Sequence, residues 1–349
     1  MIDITRPVRL ARAGAWRTYT GGSLIEQLHG KEGVPDSNFP EEWIMSTVAA
    51  RNSGREHIVE GLSMVAGTET SLAELIDCNP EAILGTKHFA KYGNKLGVLV
   101  KLIDSAERLT IQVHPTRAKA RTLFDSQFGK TECWHILGGR EVNGEKPCIY
   151  FGFKEGITRE HWKDVFDRQD IPEMLACLHR FEVQPGDTFL IEGGIPHAIG
   201  AGCFLVEIQE PTDYTVRTER VTPAGLQVAD FMCHQGLGFD KMFDCFEYNG
   251  YSQEEVQERW CKKPAGKTLI GYDDTEMFQL ELNRVDGSEQ LEPGETFSGI
   301  YILEGEGCVD GIPVKQGAQF FIPACCKAFR VEGNLKYIRF YGPVVSSKL

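Results

Sequence analysis

The sequence predicts a mainly β protein with helical insertions, organised as two β-barrel units. Three observations carry this. Runs rich in β-branched and apolar residues, such as "LGVLVKLID" and "LTIQVHP", recur along the chain. From about Thr268 short strands alternate with Gly- and Pro-containing turns, the spacing of sandwiches and small barrels. One β unit also occurs twice: "VQPGDTFLIEGGIPHAI" from Val183 aligns without gaps on "VKQGAQFFIPACCKAF" from Val314.

The elements follow in order. The first forty residues are mixed, with a loop around "GKEGVPDSNFPEEW", and "EWIMSTV" is strand-like. "SLAELI" starts a helix, with Ser71 as N-cap and Glu74 completing a capping box; Asn79-Pro80 interrupts it. "LGVLVKLID" and "LTIQVHP", parted by "SAER", read as a hairpin or a pair of neighbouring strands. "TRAKARTLF" is a short helix, and "ECWHIL" and "KPCIYFGF" are strands. "TREHWKDVFDRQDIPEMLACLHR" is helical, with Thr158 as N-cap, Trp162, Val165 and Phe166 on one face, and a split at Pro172. From Phe181 the chain is mostly β, and Gly225 to Lys263 is a polar, helix-tolerant stretch.

In the repeat, Gly186 meets Gly317, Phe189 meets Phe320 and Ile191 meets Ile322. His197, at the tip of the second turn, meets Ala328, so only the first copy carries a candidate ligand. This divides the chain into a catalytic unit with helical segments, residues 1–240, and a second unit without metal ligands, residues 241–349.

A chain of 349 residues can bury one large core or two smaller ones. The formal charge of −13 argues against general nucleic-acid binding and against an anionic membrane surface; an anionic substrate needs local Lys and Arg. The eleven cysteines form no CxxC pair. With no signal-peptide pattern, reduced thiols in the cytoplasm are expected, most of them as small core residues. No apolar run reaches membrane-spanning length.

The chemistry concentrates in residues 109–137. In a strand, side chains at i and i+2 share a face, so Gln112 and His114 point one way, with Thr110 in the same alternation, while Ile111 and Val113 point into apolar packing. Glu132 opens the next strand-like piece, and His197 follows Pro196 on a turn. Two imidazoles, a carboxylate and an amide oxygen suit a borderline divalent cation, zinc first, with positions open to water or substrate. Each group also has a plainer reading. A single buried His is more often a hydrogen-bonded core residue, and His29, His57, His88, His135, His161, His179 and His234 are read that way. Arg217 and Glu207 could form a structural ion pair, with Glu210 and Asp213 as further partners, and Lys101 and Lys130 could be surface lysines.

"LTIQVHP", "GKTECW", "GGIPHAIGAG" and "VEIQEPTDYTVR" closely resemble signatures of the zinc-dependent mannose-6-phosphate isomerases of the cupin superfamily. "AWRTYTGGSLIEQL", "PEEWIMST" and "LVKLIDSAERLTIQVHP" extend the likeness over about residues 10 to 223, and the C-terminal segment fits the family's second cupin unit. The resemblance implies jelly-roll barrels and one zinc ion per chain held by Gln112, His114, Glu132 and His197. It implies an active-site arginine at Arg217, with Lys101, Lys130 and Glu207 in the pocket and Thr110 where the family more often has Ser. "VRTERVTPA" departs from the larger members' pattern: it is one residue longer, and Ala224 stands in place of a Lys.

The implied reaction interconverts mannose 6-phosphate and fructose 6-phosphate through an enediol(ate), with Glu207 as base, Lys130 as the second choice, and Arg217 stabilising charge on the oxygens. Two other classes stand beside it: a cupin iron oxygenase with two His and one carboxylate, and a non-catalytic sugar-binding cupin. The expected partner is a small sugar phosphate, with neither nucleic acid nor membrane, in a monomer or homodimer. The sequence leaves the phosphate requirement open.

Overall fold

The computed structural model describes residues 2–345 except 53, 56 and 265. Three antiparallel sheets dominate. The first has seven strands in the order Cys261–Lys262, Thr188–Ile191, Glu132–Gly139, Cys203–Gln209, Leu99–Asp104, Glu41–Ile44 and Gly14–Ala15. The second has five: Val216–Arg217, Gln112–Val113, His197–Ile199, Cys148–Phe153 and Leu178–Glu182. Apolar side chains of both, such as Trp134 and Leu190 from the first and Ile149 and Phe151 from the second, share one core. The outer face of the second sheet is apolar too. Val113, Ala198 and Val216 pack there with Trp162 and Phe166 of the Arg159–Arg168 helix.

The third sheet is built from Gln319–Ile322, Ser298–Val309, Phe329–Tyr341, Gln279–Leu291 and Thr268–Ile270, with Ile312–Lys315 on the side. Its edge is Val8–Leu10, from the start of the chain, while Cys261–Lys262 pairs in the opposite sense with the first sheet. Both copies of the repeat turn at a glycine with positive φ, Gly186 at 100° and Gly317 at 85°, and run into the buried strands Thr188–Ile191 and Gln319–Ile322. His197 is buried and Ala328 is exposed.

Local signals account for the helices. Ser71 accepts from the Glu74 backbone N–H while the Glu74 carboxylate accepts from the Ser71 N–H at 2.8 Å, so the capping box forms as expected. Thr158 caps the Arg159–Arg168 helix. That helix stops at Gln169, in the left-handed region, and Asp170 caps the next, where Pro172 sits in the first turn and loses no hydrogen bond.

Four expectations change. Leu99–Asp104 and Gln112–Val113 are not neighbours but lie in different sheets. Both edges of Leu99–Asp104 are already taken, by Glu41–Ile44 and Cys203–Gln209, so the chain crosses to the second sheet instead of turning back. The predicted helical stretch ends early: Leu178–Glu182 is a strand paired with Cys148–Phe153. The C-terminal strands are long, up to 13 residues. Glycines let them bend without ending. Gly287 faces Gly333 with φ of 106° and 116°, and a Cβ on Gly305 would lie 1.9 Å from the Asn334 carbonyl oxygen. His197 opens a strand rather than sitting at a turn tip.

Seven of the eleven free cysteines are buried, in keeping with small core residues. No helix among the described residues is long and apolar enough to cross a membrane.

Candidate metal centre and cleft

The register of two facing sheets builds the site. In the second sheet Arg217, Gln112 and His197 are direct cross-strand partners. Cross-strand partners point to the same side, so one row presents a cation, an amide and an imidazole inward. The odd-numbered neighbours Ile111 and Val113 are fully buried on the opposite, helix-covered side. In the first sheet a second row runs Trp43, Lys101, Glu207, Trp134, and Glu132 lies two residues from Trp134 on the same face.

His114, Glu132 and His197 converge, with one donor atom from each lying within 4.8 Å of the others. His114 Nε2 is 3.1 Å from Glu132 Oε1, and His197 Nε2 is 3.8 Å from Glu132 Oε2. The two Nε2 atoms are 3.2 Å apart, and the Gln112 amide end stands 3.4 Å from His197 Nε2. Each ring uses Nδ1–H to donate to a backbone carbonyl, His114 to Tyr214 at 2.8 Å and His197 to Ile195 at 2.9 Å. That fixes the tautomer and aims a bare lone pair at the centre.

Burial, with Lys130 nearby, pushes the His114 ring down to about 3, and burial lowers His197 as well. Burial opposes charge on Glu132, yet the positive charge beside it, the Lys130 ammonium included, holds its carboxyl well below the usual range. Lys130 Nζ stands 3.2 Å from Glu132 Oε1, but among the described residues neither carboxylate oxygen receives a hydrogen bond. With both imidazoles neutral, two nitrogen lone pairs converge on a carboxylate whose one cationic neighbour among the described residues is Lys130, a donor set that a divalent cation would satisfy. The donors are nitrogen and oxygen, with no thiolate, which fits a divalent metal.

Above this centre opens a cleft lined by Lys101, Thr110, Gln112, Lys130, Glu207 and Arg217. The five side chains singled out for the pocket or catalysis in the sequence, Lys101, Thr110, Lys130, Glu207 and Arg217, therefore reach one cavity, which the candidate ligand Gln112 also lines. Lys101 and Lys130 are 3% and 4% exposed, so neither is a surface lysine. Lys130 also donates to Thr215 Oγ1 at 3.3 Å. Glu207 accepts from Lys101 Nζ at 2.9 Å and from Trp134 Nε1 at 3.0 Å. Burial pushes its carboxyl up and nearby Glu132 adds to this, against the pull of Lys101 and Lys130.

The structural ion pair weighed for Arg217 and Glu207 does not form. Arg217 donates to the Thr215 and Met232 carbonyls, both at 3.0 Å, and has no carboxylate partner among the described residues. Glu210 pairs with Arg117 instead, and Asp213 with Arg17.

Sequence reasoning missed part of this wall. Arg17 lies 3.0 Å from Glu41, which also accepts from Trp43 Nε1 and the Tyr19 hydroxyl, each at 2.7 Å. The alternation in Glu41-x-Trp43 was the available signal, but it does not say what lies across the sheet. The histidines outside the site are mostly satisfied elsewhere: His29 by Glu42, His88 by the Lys95 carbonyl, His135 by Thr188 and His179 by the Tyr251 carbonyl.

Known proteins resemble this chain in two segments and in fold. Residues 54–130 match the family described as phosphomannose isomerase type I, catalytic domain, and residues 270–342 match the mannose-6-phosphate isomerase cupin domain. The first match takes in Lys101, Thr110, Gln112, His114 and Lys130; Glu132 and His197 lie beyond it. The chain is 27% identical to the mannose-6-phosphate isomerase ManA of Bacillus subtilis (strain 168) over 70% of its length and 75% of that protein's. It is 24% identical to the mannose-6-phosphate isomerase of Streptococcus mutans over 91% of its length and 93% of that protein's. The crystal structure of the mannose 6-phosphate isomerase from Bacillus subtilis shares its fold, with a TM-score of 0.71 at 23% identity, covering 96% of this chain and 99% of that one. Two matched segments, relatives at 24–27% identity and a common fold make this chain similar to the type I phosphomannose isomerases.

Proposed function

We propose that the protein is a zinc-dependent aldose–ketose isomerase that interconverts mannose 6-phosphate and fructose 6-phosphate. The observation that carries this is the meeting of the His114–Glu132–His197 cluster with a cationic cleft. The cleft walls carry six Lys and Arg side chains against three carboxylates, in a chain of net charge −13. Among them Arg217 has no carboxylate partner among the described residues, which suits a substrate that brings its own negative charge.

Gln112, His114, Glu132 and His197 would hold the ion, with the Gln112 carbonyl oxygen turned inward. A divalent cation bound there supplies Lewis acidity toward the sugar oxygens O1 and O2. The chain's own groups do the rest. Glu207 removes the proton from C2 of the open-chain aldose and returns it to C1, while the hydroxyl proton of O2 passes to O1. Lys130 is the second choice for this exchange. Arg217, held by two carbonyls, faces the developing enediolate as a fixed cation. Lys101 and Thr110 bind the sugar, and Lys101 also keeps Glu207 in place.

We also infer two cupin-type jelly-roll units. The first, residues 1–240, is catalytic and the second, residues 241–349, lacks metal ligands. The exchange of Val8–Leu10 and Cys261–Lys262 between sheets ties the two together. A coupled assay of mannose 6-phosphate against free mannose tests the activity. Turnover of the phosphorylated sugar is expected, and turnover of neither sugar would refute the reading. Oxygen consumption with iron loaded would favour an oxygenase, for which two His and one carboxylate also suffice.

A further inference from the structure

The cluster explains what holds the ion and the cleft explains the cations, but neither explains Trp134. Its side chain is fully buried, and it stands between the two halves of the site. Its indole Nε1–H donates to Glu207 Oε2 at 3.0 Å. Its ring meets the His197 ring edge-on, with centroids 5.4 Å apart and an interplanar angle of 80°. It is the cross-strand partner of Glu207 and lies two residues from Glu132 on the same face. We propose that Trp134 is a positioning residue that fixes the Glu207 carboxylate relative to His197, and thereby sets the rate of proton transfer.

The physics is local. Lys101 holds Glu207 Oε1 and Trp134 holds Oε2, so the carboxylate plane has two anchors at fixed points of neighbouring strands. Without the indole N–H, Oε2 keeps its burial and loses its donor, and the carboxylate can rotate about Lys101 alone. A proton-transfer group that turns by a fraction of an ångström loses rate more than it loses substrate affinity. The edge-on ring closes the same gap from the other side, because His197 cannot shift toward Glu207 without striking the indole.

The inference rests on the isomerase reading above, and one set of variants keeps the two separate. Trp134→Phe, Glu207→Gln and the double variant are compared with the wild type for kcat, KM and zinc content. Trp134→Phe should lower kcat by ~10- to 100-fold with KM within about threefold and zinc content unchanged. In the Glu207→Gln background the same change should cost less than about threefold, because the group it positions is gone. A Trp134→Phe enzyme within about twofold of wild-type kcat overturns the proposal, as does a loss that multiplies fully with Glu207→Gln or comes with loss of zinc. Failure of the wild type itself to isomerise would instead strike the parent reading. If Trp134→Phe does not fold, the five indole N–H proton resonances of wild type and Glu207→Gln are compared. One should move when the charged acceptor is removed, and none moving overturns the proposal.

Discussion

The Nε2 atoms of His114 and His197 lie 3.2 Å apart, and both rings have already committed their Nδ1 protons to backbone carbonyls. Nothing in the chain lies between those lone pairs. An ion held there would relieve the repulsion between them, so metal binding is expected to add stability.

Zinc should raise the unfolding temperature of the wild type, by ~2.7 kcal/mol of added stability at a free ion concentration of about 100 times Kd. His114→Ala should abolish that shift. Thermal melts with and without a chelator measure it, and an equal zinc shift in the variant would remove His114 from the site.

Arg217→Ala should lower kcat by about 100- to 1000-fold, the usual loss for a fixed donor facing a developing oxyanion. Zinc content should stay intact, since the guanidinium hydrogen-bonds to the carbonyls of Thr215 and Met232 rather than to the proposed metal ligands. Steady-state kinetics with metal analysis check both halves. Normal turnover would exclude Arg217 from the reaction.

Glu41 gives a pH dependence. Burial opposes its charge, but Arg17 and Lys101, with hydrogen bonds from Trp43 and Tyr19, bring the carboxyl down to about 2 from an ordinary 4.5. A carboxyl lowered on folding contributes stability that is complete above the unfolded value and lost as pH falls through the folded one. The stability gap between wild type and Glu41→Gln should thus be constant above about pH 4.5 and close toward pH 2. Urea unfolding at a series of pH values measures it, and a gap independent of pH would show that Glu41 acts by shape alone.

Ser71→Ala should cost ~1 kcal/mol, because the Glu74 N–H loses its acceptor at the start of Leu72–Cys78. Activity should not change, as the helix lines no part of the cleft. Urea midpoints and kcat settle both points.

How much of this was legible in the chain depends on the range of the interaction. The Ser71–Glu74 capping box, the Trp162 face and the Gln112/His114 alternation are set within a few residues, and they appear where the sequence puts them. Strand partners are not local. The sequence makes Leu99–Asp104 a neighbour of Gln112–Val113, yet the ladder gives its edges to segments some 60 and 100 residues away. For the same reason the role of Trp134 was hidden: it arises only when Glu132–Gly139 pairs with Cys203–Gln209 in one register. The C-terminal strands were cut too short because glycine reads as an end, and here it serves as a bend.

The measurement that bears most directly on the site is metal content alongside turnover of mannose 6-phosphate, through one cycle of chelation and zinc return. Expected are one ion per chain, activity that falls with the ion, and recovery when zinc alone is restored. A metal-free protein that isomerises at the full rate would contradict the proposed centre at its base.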